Sequence, residues 1–264
     1  MIVSLPMYEN ERNRDAHDRY WKLVREALNQ RGLSAPTDLT RLEAGYMDHW
    51  RRPDLLLSQT CSFPYRRHLH DKVTLVGTPD YGVEECPPGY FRSVLICRAD
   101  DPRTRVEAFD GAALAFNEPG SQSGFAAPNA HARKAGIALI AAVETGSHVH
   151  SLKAIAAGKA DIAAIDAVTW RDLLAIDPDV SCVRELERTT PTPGLPYVTA
   201  YPDLATALFE ALAEAIAGLT SIDRASLGLR QLVPISKATY LTEPDAADTL
   251  AIRDHESRGV DGHR

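Results

Sequence analysis

Short apolar runs alternate with longer stretches whose apolar residues recur at three- and four-residue spacing, and the alternation holds along most of the chain. Runs at 2–6, 39–42, 54–58, 73–76, 91–98, 112–117, 139–142, 161–165, 182–186 and 197–200 predict strands. Stretches at 15–30, 64–70, 124–134, 147–157, 168–176 and 204–219 predict helices. In the first helix Tyr20, Trp21, Leu23, Val24 and Leu28 share a face, and Gly32 follows as a stop. Leu55-Leu56-Leu57, apolar on both faces, predicts a buried parallel strand, with polar Ser58-Gln59-Thr60 at its C-terminal end. Strands alternating with helices predict an α/β protein built on mostly parallel sheets. The polar tail after Glu256 is expected to fray.

Two proline-rich breaks, Pro87-Pro88 and the stretch 191–196, flank a middle block. This spacing predicts one lobe made of 1–88 plus 192–264, a second made of 89–191, and a cleft between them. Ligands of such sheets bind beyond the C-terminal strand ends, and the polar loops of this chain fall there. Phe116-Asn-Glu-Pro-Gly-Ser-Gln-Ser-Gly124 follows one strand, and Glu144-Thr-Gly-Ser-His-Val-His150 follows the next. Each puts hydroxyls at a helix start, where unpaired N–H groups and the helix dipole favour an anion. The strand at 161–165 ends in Asp166.

The net charge of −7 argues against nucleic acid or an anionic membrane as the main partner, but leaves a small anion open. No run of about 18 apolar residues is present, so direct membrane insertion is not expected. The first ten residues have no basic region and too short an apolar stretch for a secretion signal. The chain is therefore expected to be cytoplasmic if complete and periplasmic if a leader was removed or omitted. Cys61, Cys86, Cys97 and Cys182 lack CxxC spacing, so no metal site is expected. They read as free thiols, with a Cys86–Cys97 disulfide as the alternative. No GxSxG, HExxH or GxxxxGK[ST] motif occurs, and neither a catalytic residue nor a cofactor is assigned. Trp21, Trp50 and Trp170 read as packing residues, and Arg51-Arg52 and Arg66-Arg67 as solvated faces.

The ordered segments Ser58-Gln-Thr-Cys-Ser-Phe-Pro-Tyr65, Tyr90-Phe-Arg-Ser-Val-Leu-Ile96, Asn117-Glu-Pro-Gly-Ser-Gln-Ser-Gly124, Thr145-Gly-Ser-His148 and Asp161-Ile-Ala-Ala-Ile-Asp166 resemble the phosphate/phosphite/phosphonate-binding proteins of ABC importers, in the type 2 periplasmic binding protein class. The resemblance runs from Ile2 to about Leu232. It implies two α/β lobes closing on a ligand through a two-strand hinge near 88–92 and 191–198. It also implies a site containing Ser121, Gln122 and Ser123 at a helix start, with Asn117 opening their loop. His148 matches the family histidine, Asp166 the carboxylate after the next strand, and Tyr8 the first-lobe tyrosine. Gln59 and Thr60 occupy the first-lobe contact loop, and Tyr197 lies near the hinge. Gln122 departs from the family's usual threonine, and a longer amide narrows the site or reaches another part of the ligand.

Each candidate also has a plain reading. Ser121 and Ser123 suit helix caps, Asp166 suits a cap or turn, and Tyr8 and Tyr197 suit packing. As a ligand group, Asp166 implies a hydroxyl or ammonium on the ligand, because a bare carboxylate repels an anion. The expected function is capture of a small oxyanion for import, with an ABC permease as docking partner and the protein a monomer. A cytoplasmic sensor or carrier of the same fold is the alternative, followed by an enzyme resembling the thiamine-precursor synthases, for which no glycine–cysteine cluster is present.

Overall fold

The structure is a computed structural model that describes residues 1–41 and 46–242. In chain order its strands are β1 (Ile2–Ser4), β2 (Leu55–Gln59), β3 (Thr74–Asp80), β4 (Tyr90–Phe91), β5 (Ser93–Arg98), β6 (Ala113–Phe116), β7 (Ile140–Glu144), β8 (Ile162–Asp166), β9 (Val183–Arg188), β10 (Thr192–Pro193), β11 (Tyr197–Thr199) and β12 (Gln231–Val233). One five-stranded sheet runs β1-β2-β11-β3-β12 and a second runs β7-β6-β8-β5-β9. Between them β4 and β10 form a two-stranded antiparallel ribbon, pairing Phe91 with Thr192 and Tyr90 with Pro193. The chain crosses from one lobe to the other along this ribbon.

The sheets are mixed rather than mostly parallel. β1 and β2 are parallel, as are β6 with β7 and β6 with β8. The strands adjoining the crossings, β5 and β11, run antiparallel to both of their neighbours. A strand that enters a lobe from the hinge starts at the end where the parallel strands finish, so its direction is reversed.

Apolar strands buried on both faces hold each sheet. Leu55, Leu57, Ile96, Leu114, Ile162 and Ile165 have no exposed surface, and each such side chain contributes roughly 1.5–3 kcal/mol of burial. Helices Arg14–Gln30 and Ala205–Ala217 pack together over the first sheet through Tyr20, Val24, Leu208 and Leu212. Trp21, Trp50 and Trp170 are buried. The four cysteines are free thiols. Arg66, expected on a solvated face, is buried with its guanidinium 5.1 Å from the centre of the Phe63 ring.

Several short elements were not anticipated: helices Tyr46–Trp50, Ser221–Leu227 and Lys237–Leu241, and strand β12. No strand forms at residues 39–41; Leu42, and the tail after Glu256, lie outside the described residues. Helix Tyr46–Trp50 serves the site indirectly. His49 Nε2 lies 2.6 Å from Ser4 Oγ, which lies 2.7 Å from Ser58 Oγ, and Trp50 Nε1 donates to Ser58 Oγ at 3.2 Å. This buried network ties together the ends of β1 and β2, the strands that lead to Tyr8 and Gln59.

Candidate functional site

The second-lobe part of the site is built at the end of β6. Ser121 adopts an extended conformation before the turn Gln122–Ala126, and its Oγ accepts from Gly124 N–H at 3.0 Å. The capping role expected of Ser121 is therefore present. Ser123 Oγ lies 2.9 Å from His148 Nε2, and His148 opens the helix His148–Ala156 capped by Ser147. Gly124 explains how these parts fit: a Cβ there would lie 2.0 Å from Asn117 Oδ1 and 3.3 Å from His148 Cε1. Only glycine lets the Asn117 amide and the imidazole close over this turn. Among the described residues Asn117 Oδ1 and Gln122 Oε1 are buried with no hydrogen-bond partner, and a buried group of this kind calls for an explanation.

Asp166 ends β8 and caps the helix Ala167–Ile176. Its Oδ1 accepts from Val168 N–H at 2.8 Å and Thr169 N–H at 3.1 Å. Its Oδ2 accepts from the Tyr8 hydroxyl of the other lobe at 3.0 Å. The residue is thus both a cap and part of an inter-lobe contact. The Tyr8 ring meets Tyr81 edge-on, with centroids 4.7 Å apart. Gln59 Nε2 donates to the Tyr81 hydroxyl at 3.0 Å and to the Leu195 carbonyl at 3.1 Å.

Thr60 is buried, its N–H held by the Pro196 carbonyl at 3.0 Å. Tyr197 is also buried, its hydroxyl 3.5 Å from that of Tyr20. The structure therefore brings Tyr8 to Asp166, and Asn117 and Ser121–Ser123 to His148. It sets Gln59 beneath Tyr81, and Tyr197 deeper, beside Tyr20. Sequence reasoning missed Tyr81, which links Tyr8 to Gln59 but follows a strand that reads as ending at Val76.

Burial sets the protonation of these groups. It raises the Asp166 carboxyl to about 6, with the bonds from Thr169, Tyr8 and Val168 opposing the rise. It lowers the enclosed His148 imidazole to about 4, so the ring is neutral near pH 7. The ligand-free site therefore holds a neutral imidazole, because burial penalises its charged form. Burial, then the nearby Asp166 charge, pushes the Tyr8 hydroxyl well above its usual range. Burial and the neighbouring Glu144 raise Glu118. None of the ten candidate residues is a lysine or arginine. Among the described residues no group of three or more His, Cys, Asp or Glu side chains is arranged to hold a metal ion. A surface concavity of about 670 Å³ lies elsewhere, between β7 and the helix His148–Ala156 beside Lys153, Lys159 and Asp179, and none of the ten lines it.

Two mixed α/β sheets joined by a two-stranded ribbon, with polar loops meeting between them, define a type 2 periplasmic binding protein. Among solved structures, the methylphosphonate complex of PhnD1 from Prochlorococcus marinus superposes with a TM-score of 0.68 at 15% identity, over 91% of this chain and 94% of that one. A binding protein component of an ABC phosphonate transporter from Pseudomonas aeruginosa gives 0.63 at 16% identity, over 91% and 82%. The aliphatic sulphonate binding protein SsuA from Escherichia coli gives 0.57 at 16% identity, over 90% and 82%. No curated protein matches the chain in sequence. Residues 52–244 match the family model for the phosphonate periplasmic substrate-binding protein of ABC transporters, and the protein belongs to that family.

Proposed function

We propose that this substrate-binding protein captures a phosphonate, phosphite or phosphate-like oxyanion between lobes 1–88 plus 192–264 and 89–191, and delivers it to an ABC permease. The observations carrying this reading are a hydroxyl-lined turn that pairs Ser123 with His148 and a tyrosine–carboxyl bond that crosses the lobes. Gln122, Ser123 and Asn117 present neutral polar groups, and the N–H groups of the turn favour negative charge. Tyr8 supplies a hydroxyl from the other side. With Asp166 at hand, the favoured ligand brings its own proton or ammonium to that carboxyl. The hinge is the β4–β10 ribbon, and the working form is a monomer in the periplasm.

Binding without catalysis is the favoured chemistry. Ser123 and His148 form a hydroxyl–imidazole pair, as a nucleophile and base would. Yet Asp166 bonds Tyr8 rather than the imidazole, so no carboxylate completes a triad with Ser123 and His148. An imidazole with its pKa near 4 is also a weak base at pH 7.

A thermal-shift screen against phosphate, phosphite, methylphosphonate, 2-aminoethylphosphonate, sulfate and simple carboxylates tests the proposal. A ligand at a hundred times its Kd adds about 2.7 kcal/mol of stability. A clear shift with a phosphorus oxyanion and none with the carboxylates is expected. No shift with any phosphorus oxyanion would overturn the reading.

A further inference from the structure

The helix Ala167–Ile176 belongs by sequence to the second lobe, yet its first turns are seated on the first. Val168 is 2% exposed and sits in the first lobe's apolar cluster with Tyr81, Tyr197 and Leu229. Three residues on, Arg171 Nη1 donates to the Tyr81 carbonyl at 3.0 Å. Its guanidinium lies over Gly228, where a Cβ would come within 2.5 Å of Nη2. Gly228 ends the helix Ser221–Leu227 at φ +66°, a conformation glycine adopts without strain. The missing side chain opens the path by which Arg171 reaches the first lobe. Neither Val168 nor Arg171 is one of the hydroxyl, amide or imidazole groups assigned to the ligand.

We propose that Val168 and Arg171 are positioning residues that hold the lobes closed independently of the ligand. Opening at the β4–β10 ribbon exposes the Val168 side chain to water and breaks the Arg171–Tyr81 bond. Both changes penalise the open form by the same amount whatever ligand is present. The same helix carries Asp166 at its N-terminus, so seating it also places the carboxyl against Tyr8. Because apparent affinity scales with the fraction of protein already competent to bind, the clamp sets a gain common to all ligands and leaves their ranking to the cleft.

This inference rests on the binding reading above for its affinity arm but not for its shape arm. The test uses Arg171→Gln, Val168→Ala and Arg171→Lys in the full chain. Small-angle scattering without ligand is expected to show a larger radius of gyration for the first two than for wild type. The lysine variant, which keeps a donor for the carbonyl, is expected to return towards wild type. By calorimetry with methylphosphonate and with phosphite, Arg171→Gln should weaken both by the same factor, roughly three- to tenfold, the size expected for one typical hydrogen bond. Unchanged ligand-free dimensions in both variants would overturn the clamp even if no oxyanion binds. So would an affinity loss that differs between the two ligands, which would make these residues ligand contacts. Failure of every oxyanion to bind wild type, with the scattering difference intact, would overturn only the functional reading.

Discussion

Replacing Asp166 with asparagine is expected to stabilise the folded protein at pH 8 while altering a candidate ligand contact. Asp166 is 3% exposed, and burial raises its pKa from 3.8 to about 6. A carboxyl that is less acidic when folded favours the native state only in its protonated form. That contribution is fully present below about pH 3.8 and is lost as pH rises through about 6. A difference of about 2 in pKa, at about 1.4 kcal/mol for each tenfold change, amounts to about 3 kcal/mol. Asparagine keeps an oxygen for the N–H groups of Val168 and Thr169, so the helix cap survives. It gives up the acceptor facing Tyr8, a loss of about 1 kcal/mol. The variant should therefore gain about 2 kcal/mol at pH 8. His148 pulls the other way: its folded pKa is about 4, against 6.5 in the unfolded chain. Its contribution is present above pH 6.5 and is lost, again by about 3 kcal/mol, as pH falls through about 4. In the native protein the two slopes oppose each other between pH 4 and 6. The asparagine variant retains only the histidine slope, so its stability should fall on acidification more steeply than wild type's. Urea unfolding at intervals from pH 4 to 8 measures this. Parallel stability curves, or a variant less stable than wild type at pH 8, would refute the reasoning.

Gly124→Ala should shift Asn117 and the imidazole, because the new methyl falls 2.0 Å from Asn117 Oδ1; affinity for methylphosphonate is expected to drop at least tenfold, with a stability loss of about 1–3 kcal/mol in the same urea assay. Ser123→Ala combined with His148→Ala removes the 2.9 Å hydroxyl–imidazole pair and should nearly abolish oxyanion binding while circular dichroism stays native; retained affinity would refute the site assignment. Leu57→Ala, at a position with no exposed surface, should cost about 2–5 kcal/mol of stability, read as a lower urea midpoint.

The fold was most legible where a strand is buried on both faces. β2, β5, β6 and β8 are nearly continuous apolar runs, and such runs announce themselves without any partner. β3 extends past the apolar run at 73–76, through Gly77 and Pro79, two residue types that weaken a strand. The proline is tolerated because β11 pairs with Thr74–Gly77 and β12 only with Thr78–Asp80, leaving Pro79 with one ladder neighbour. β12 and the helices Tyr46–Trp50 and Lys237–Leu241 are three to five residues long, and such elements owe their shape to what they pack against. The hydroxyl-lined turn was visible as polar residues between glycines after a strand. The orphaned state of Asn117 Oδ1, the neutrality of His148 and the place of Tyr81 depend on burial, which local sequence does not encode. Asp166 was read as either cap or ligand group; in the fold its two oxygens divide, one to the helix N–H groups and one to Tyr8 across the lobes.

The most direct test of oxyanion capture between the lobes is a crystal structure grown with saturating methylphosphonate or 2-aminoethylphosphonate. The account predicts the ligand's oxygens within hydrogen-bond distance of the Ser121–Ser123 turn and His148, with Tyr8 closing from the opposite lobe. Ligand bound only in the open groove beside Lys153 and Lys159, or an empty cleft at saturating concentration, would contradict it.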